Sequence, residues 1–138
     1  AAAFVKRGEE QIGSRTALVY HYTVNQPNSH WRVVAEDRSY NPAYKGSIWI
    51  DKDTSRVLRI EQQSLSLPDD FPFDKVEGVL DYNLVRIEAA AYLLPVRGEN
   101  LMCQRGTNTC SRNEIHFRNY RKFTAESEII LQPFRSSL

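Results

Sequence analysis

The side chains that most often carry out chemistry in proteins are few in this sequence, and they lie far apart. His21, His30 and His116 lack the short spacing that metal ligands show. No serine lies in a G-x-S-x-G motif, and the six glycines are scattered rather than gathered in a phosphate-binding loop. We therefore expect no catalytic residue, no metal and no cofactor, and we expect that the protein is not an enzyme. An enzyme is the alternative if two titratable groups converge in a pocket, such as His116 with Glu114 or Asp81.

Two cysteines, Cys103 and Cys110, flank the turn-like segment RGTN at 105–108. If they face each other across a hairpin, their Cα atoms approach to the roughly 4.4–6.8 Å that a disulfide requires. We expect this disulfide rather than two free thiols, because the pair lacks the further ligands that a structural zinc site needs. A disulfide implies an oxidising compartment, so we expect an extracytoplasmic location, either periplasmic or secreted.

The segment 112–123 has the composition of a nucleic-acid-binding surface, since cations alternate with aromatic rings that could stack on bases. Its cations are Arg112, Arg118, Arg121 and Lys122, and its rings are Phe117, Tyr120 and Phe123. A strand gives the same pattern, with one parity packed inward and the other exposed to solvent. The whole chain has 18 basic and 17 acidic residues, and a net charge of +1 provides no long-range field for a polyanion. We therefore expect that the protein does not bind nucleic acid.

Length and composition predict one β-rich domain over residues 1–138, either complete or as a fragment or mature part of a longer chain. Hydrophobic residues make up 41% of the sequence and charged residues 25%, which is typical of neither disordered chains nor membrane proteins. The longest strictly apolar stretch, AAAYLL at 89–94, is too short to cross a bilayer.

Segments rich in β-branched and aromatic residues alternate with turn signals, which is typical of an antiparallel sheet. The expected strands are 16–24, 30–36, 46–51, 56–61, 76–88, 91–96 and 113–131. Segment 65–74 contains prolines, so we expect a crossing loop there, and we interpret Asp69 and Asp70 as turn formers rather than an acid–base pair. A helix is the alternative at 85–94 and at 120–130. The predicted class is mainly β, a strongly curved antiparallel sheet in the form of a half-barrel with at most one or two short helices.

The hairpin at 46–61 indicates which faces of this sheet must be covered from water. With the turn at Asp53–Thr54, the opposed pairs are Asp51–Arg56, Ile50–Val57, Trp49–Leu58 and Ile48–Arg59. One face then carries Ile48, Ile50 and Val57, and the other carries Trp49, Leu58 and Ile60. Each large apolar side chain left in water forgoes roughly 1.5–3 kcal/mol of burial. We therefore expect both faces to be covered. The cover is the sheet curling on itself, helices from polypeptide outside this sequence, or a ligand or partner.

Four motifs occur in a fixed order: GSIWID…RVLRIE at 46–61, LPDDFPFD at 67–74, LDYNLVRIEAAAYLLPV at 80–96 and NEIHFRNYRKFTAES at 113–127. Over about residues 10–130 the run resembles uncharacterised exported bacterial proteins. Its first hairpin is distantly similar to the outer-membrane lipoprotein-sorting carriers and their periplasmic sensor relatives. The resemblance implies a curved antiparallel sheet that wraps around helices and holds an acyl chain or peptide. It also implies a glycine in the turn at 88–91, where this chain has alanines, and it implies no catalytic residue.

We therefore expect a non-catalytic extracytoplasmic binding or carrier domain for a hydrophobic ligand, a lipoprotein or a protein partner. The candidate lining residues are Trp31, Trp49, Tyr92 and Phe117. The alternative is a structural or interaction module of a larger exported protein. In that case an open face of the sheet packs against another domain or against a second copy of the protein. Packing against a second copy would form a homo-oligomer.

Overall fold

The computed structural model describes residues 2–120. The second half of the expected strand at 113–131, the helical alternative beyond Tyr120 and the end of the basic segment 112–123 lie outside these residues. Nine strands form within the described part: β1 Ala2–Ile12, β2 Arg15–Val24, β3 Val33–Ala35, β4 Arg38–Tyr40, β5 Tyr44–Asp51, β6 Val57–Ser64, β7 Phe73–Ile87, β8 Ala90–Gln104 and β9 Cys110–His116. A single turn of 3-10 helix, Gln26–Asn28, follows β2.

Seven strands form one antiparallel sheet in the order β1-β2-β5-β6-β7-β8-β9, and β3 and β4 pair in a separate hairpin. Within residues 2–120 the sheet stays open, with β1 and β9 as its two edges. The prediction of a mainly β protein built on a large antiparallel sheet is therefore confirmed. The segment 85–94 is strand on both sides of a turn at Glu88–Ala89, in which Glu88 takes a φ of 56° in place of the expected glycine.

The register of the β5–β6 hairpin differs from the expected one at a single point. The pair Ile50–Val57 forms as predicted, and the Asp51 N–H donates to the Arg56 carbonyl at 2.8 Å. Beyond it the register shifts, so that Trp49 opposes Arg59 and Ile48 opposes Ile60. The extra residue is Leu58, which forms a β-bulge. The expectation that both faces of this hairpin are apolar was therefore wrong, because the bulge returns Ile60 to the face of Ile48.

The whole sheet consequently has two faces of different character. We call one the core face; its side chains include Tyr22, Tyr44, Ile48, Ile60, Val76, Leu80 and Met102. We call the other the polar face; its side chains include Ser47, Trp49, Arg59, Glu61, Glu77, Asp81, Arg97 and Glu99. This alternation is the normal pattern of an antiparallel sheet with one face packed and one face in water.

The core lies between the core face and chain that crosses it. Its buried cluster consists of Val33, Ala35, Leu67, Phe71, Val76 and Met102, with Trp31, Tyr40 and Phe73 packed against it. The first two residues belong to the β3 strand, so the segment expected as a sheet strand at 30–36 is instead part of the cover. Leu67 and Phe71 come from the crossing loop at 65–72, as the prolines predicted.

Two arginines hold the crossing loop in place. The Arg105 guanidinium donates to the carbonyl of Phe71 at 2.8 Å and to that of Pro68 at 2.8 Å, with longer bonds to the carbonyls of Leu67 and of Phe73, the first residue of β7. Arg38 lies over the Phe71 ring, 5.4 Å from its centroid, and its guanidinium binds the Asp70 carboxylate at 3.0 Å. Asp70 is thus an ion-pair partner and turn residue, in agreement with the interpretation of the LPDDFP motif.

Candidate functional site

A row of alternating charges crosses the polar face on three neighbouring strands. Arg59 of β6, Asp81 of β7 and Arg97 of β8 oppose one another in the register. Each Asp81 oxygen accepts one hydrogen bond, from Arg59 Nη1 at 2.9 Å and from Arg97 Nη1 at 3.0 Å. The three side chains are only 30%, 27% and 31% exposed, so these charges are less screened than those of a typical surface pair.

Further ion pairs extend this row into a network. They are Arg59–Glu61 at 2.7 Å, Arg97–Glu99 at 2.6 Å, Arg97–Glu114 at 3.4 Å and Arg112–Glu99 at 2.8 Å. His116 Nε2 also lies within hydrogen-bond distance of Glu114 Oε1, at 2.7 Å. The hydrogen bonds to Glu99 and Asp81 raise the pKa of Arg97. The hydrogen bond from His116, with the charge of Arg97, lowers the pKa of Glu114. The polar face is therefore an ionic surface in which most acids already have a basic partner.

A groove of about 370 Å³ lies in this face and crosses six strands, from β2 and β5 to β9. It follows two adjacent rows of opposed residues. One row runs Lys45, Gln63, Glu77, Leu101 and Arg112, and the other runs His21, Ser47, Glu61, Val79 and Glu99. Opposed residues in a sheet lie about 4.5–5.5 Å apart, so each row is a continuous line of side chains. The two rows lie side by side and together form the lining.

The charges along the groove are not uniform. The β2–β5 end carries His21 and Lys45, the middle carries Glu61 and Glu77, and Glu99 and Arg112 follow at the β8–β9 end. The Glu77 carboxylate lies 3.6 Å from Lys75 Nζ, a long ion pair that leaves it able to accept further hydrogen bonds. The groove therefore offers carboxylate acceptors on β6, β7 and β8 and cationic donors on β5 and β9. No group of three or more histidine, cysteine or acidic residues in the described chain is arranged to hold a metal ion.

The structure separates the four candidate lining residues. Trp31 packs against the core, with its ring centroid 5.5 Å from that of Tyr44. Trp49 lies on the polar face, where its Nε1 donates to Glu10 at 3.2 Å. Tyr92 is 39% exposed on β8, and the Phe117 N–H, just beyond β9, donates to the Val96 carbonyl at 3.1 Å. None of the four lines the groove, and their role in binding a ligand stays a prediction.

Most of the groove residues were not among the predicted site residues, although the sequence contains a signal for them. Alternate positions of β6, β7 and β8 are polar or charged, as in Arg59, Glu61 and Gln63, and this pattern predicts one polar face. Of the histidines, His21 lines the groove, His30 is exposed, and His116 meets Glu114, as the enzyme alternative required, but on an exposed strand rather than in this groove.

The two cysteines oppose each other on β8 and β9, as the hairpin argument predicted. Their sulfur atoms are 2.12 Å apart, which is disulfide distance. Cys103 is buried and Cys110 is exposed at the base of the turn that carries Arg105. This pair therefore fastens the turn from which the crossing loop is held.

Among residues 2–120, no helix is long and apolar enough to cross a membrane. Comparison of the sequence and structure with protein-family models, with curated proteins and with solved structures finds no significant match.

Proposed function

We propose that this protein is a non-catalytic extracytoplasmic binding domain, and that the groove on its polar face takes an extended segment of a protein partner. The observation that carries the proposal is the groove itself, which crosses six strands and is lined mainly by ionic, amide and hydroxyl groups, with Val79 and Leu101 among them. Pockets that bind small molecules are mostly apolar with a few polar groups, whereas most side chains of this groove are charged or polar and only Val79 and Leu101 are large and apolar.

The ionic lining favours a polypeptide over an acyl chain. An acyl chain in the groove would remove water from Glu61, Glu77 and Lys45 without replacing its hydrogen bonds, and such burial is costly. A polypeptide carries main-chain donors and acceptors and can supply charges of both signs. Its basic side chains would meet Glu61 and Glu77, and its acidic side chains would meet Lys45.

The disulfide distance between Cys103 and Cys110 supports an extracytoplasmic location, because such bonds persist in oxidising compartments. The resemblance of the 46–61 hairpin to lipoprotein-sorting carriers stays a prediction and does not enter the proposal.

The test is selection of random 12-residue peptides on the protein, followed by calorimetry with the enriched sequences. We expect enriched peptides to contain both basic and acidic residues and to bind with Kd below about 100 µM. Lys45→Glu and Glu77→Lys should each weaken binding by about tenfold or more, because each reverses a groove charge. Arg86→Glu is the matched control, since Arg86 is exposed on β7 and does not line the groove.

The proposal fails if no enriched peptide binds, or if the groove variants and Arg86→Glu bind equally well. Saturable uptake of a fluorescent fatty acid that Lys45→Glu leaves unchanged, in the absence of peptide binding, would replace it with the carrier function.

A further inference from the structure

Strand β1 is an edge of the sheet in the described chain, and its outer side faces no other strand there. Phe4 is 58% exposed and Val5 60%, the two largest values among the exposed large hydrophobic residues of the described chain. They are neighbours in β1, so one projects from each face of the sheet at this edge. An extended edge strand with solvent-exposed apolar side chains is a site where another strand can pair.

A bulge in β1 gives this edge an unusual arrangement of charge. Lys6 opposes Tyr20 and Glu9 opposes Leu18, with the register shift between Lys6 and Gly8. Tyr20 and Leu18 are two residues apart and share a face of β2. Lys6 and Glu9 therefore also share a face, although residues three apart in a regular strand point to opposite faces.

We propose that β1 pairs antiparallel with β1 of a second copy, about a twofold axis at Arg7 and Gly8. In this register Lys6 of each copy opposes Glu9 of the other on the same face, which gives two equivalent ion pairs. Within the segment KRGEE at 6–10, Lys6 and Glu9 carry opposite charges on one face, so that face is complementary to itself in this register. A closed twofold dimer requires such self-complementarity, since each copy presents the same surface.

On both sides of these ion pairs the register opposes residues that share a face, including Val5 with Glu10 of the second copy. Phe4 opposes Gln11 of the second copy on the face of Lys6, and Ala3 opposes Ile12 of the second copy on the other face. The unpaired main-chain groups of both edges would then bond across the axis and join the two sheets. Glu9 also binds Lys52 Nζ of its own chain at 2.8 Å, and a carboxylate has lone pairs for both cations.

Edge strands are often protected by a bulge and basic residues, and β1 has both in Arg7 and Gly8. Protection alone does not require acids at matching positions on the other side of the bulge. The order of the charges is therefore what selects a second copy as the occupant.

The test is sedimentation velocity over about 1–300 µM, with the wild type, Lys6→Glu, Glu9→Lys and the double variant. The wild type should dimerise as concentration rises. Lys6→Glu and Glu9→Lys should each be monomeric, because each homodimer would oppose like charges. An equimolar mixture of the two should dimerise, since every opposed pair then has opposite signs, and the double variant should dimerise for the same reason.

Circular dichroism checks that each variant is folded, and Arg86→Glu, far from β1 in sequence and sheet order, should dimerise like the wild type. A wild type that is monomeric at the highest concentration overturns the inference. A dimer that persists in Lys6→Glu also overturns this register, and would leave Phe4 facing Phe4 of the second copy as the arrangement to examine.

Discussion

The hydroxyl of Tyr22 on β2 donates a hydrogen bond of 2.9 Å to the main-chain carbonyl of Glu61 on β6, two strands away. The tyrosine ring passes over Gly46 on β5, the strand between them. One side chain therefore connects three strands beneath the groove, and it can do so only because position 46 has no Cβ.

Gly46→Ala should destabilise the protein. An added Cβ would lie 1.9 Å from the Glu61 carbonyl oxygen and 2.7 Å from the Tyr22 hydroxyl, so main chain as well as side chain must move. We expect a loss of about 1–3 kcal/mol in the free energy of unfolding, the usual cost of overpacking, measured by urea denaturation. Ser47→Ala, on the opposite face of the same strand, should change it by less than about 0.5 kcal/mol. Equal stability of Gly46→Ala and the wild type would contradict this account.

Tyr22→Phe should cost about 0.5–1.5 kcal/mol at neutral pH, since it removes the donor to the Glu61 carbonyl. Burial raises the pKa of the Tyr22 phenol above its ordinary value, and the nearby Tyr44 adds to the shift. A raised pKa means that the folded state keeps this proton when the unfolded state loses it, near pH 10. The Tyr22 contribution is thus complete below about pH 10 and declines as the pH rises further. The stability difference between wild type and variant should therefore shrink above pH 10, and a constant difference would exclude this explanation.

Asp51→Asn should lower the melting temperature at pH 7. Asp51 is 2% exposed, and its carboxylate binds Arg15 at 2.7 Å and the N–H groups of Asp53 and Thr54 at 2.8 and 3.2 Å. Burial by itself would raise the pKa of Asp51, but these hydrogen bonds outweigh it and lower the pKa.

A lowered pKa gives stability that is present above the unfolded value of about 3.9 and is lost as the pH falls through the folded value. The melting temperatures of wild type and Asp51→Asn should therefore converge in acid. Asp53→Asn, at an exposed neighbouring site, serves as the control and should melt close to the wild type at every pH. A gap between Asp51→Asn and wild type that persists at pH 2 would count against the role of the carboxylate.

Arg105→Ala should loosen the crossing loop at 65–72. The variant loses the hydrogen bonds to Phe71 and Pro68, and bonds from a charged donor contribute about 1.5–3 kcal/mol. Arg105→Lys should recover only part of the loss, because an ammonium cannot reproduce the planar fork. Urea denaturation followed by tryptophan fluorescence measures both, since Trp31 packs on this core. Gln104→Ala, at the exposed neighbouring position, should be nearly neutral.

Reduction of the Cys103–Cys110 pair should lower stability by about 2–3 kcal/mol, the loop-closure entropy for a sequence separation of seven. Mass spectrometry after alkylation should show no modified cysteine before reduction and two afterwards. Alkylation of both thiols in the untreated, folded protein would show that the bond does not form. The double variant Cys103→Ser, Cys110→Ser should match the reduced protein in stability.

The sequence predicted the sheet well because period-two alternation and turn residues are local signals. It failed where one residue changes the outcome. The bulge at Leu58 moves Ile60 to the other face, and no local preference distinguishes this register from the regular one. With the regular register, apolar residues fall on both faces of the hairpin, and both faces then require cover. With the bulge, Ile48, Ile50, Val57 and Ile60 share one face.

The ionic site was harder to predict than the strands. Asp51 was expected to pair with Arg56, its neighbour across the turn, but its carboxylate binds Arg15 on β2. Arg59, Asp81 and Arg97 are likewise distant in sequence and meet only through the register of three strands. Such contacts depend on strand order, which alternation in a single sequence does not specify.

The order of strands in the large sheet follows the chain at every step except one. Between β2 and β5 the chain leaves to form the cover at residues 25–43, whereas all other neighbours are joined directly, by turns or, between β6 and β7, by the crossing loop at 65–72. Closing a longer loop costs only slightly more entropy, but it delays the contacts that reward it. The large sheet therefore divides into a two-stranded ribbon, β1 and β2, and a five-stranded meander, β5 to β9, which the long connection at 25–43 joins.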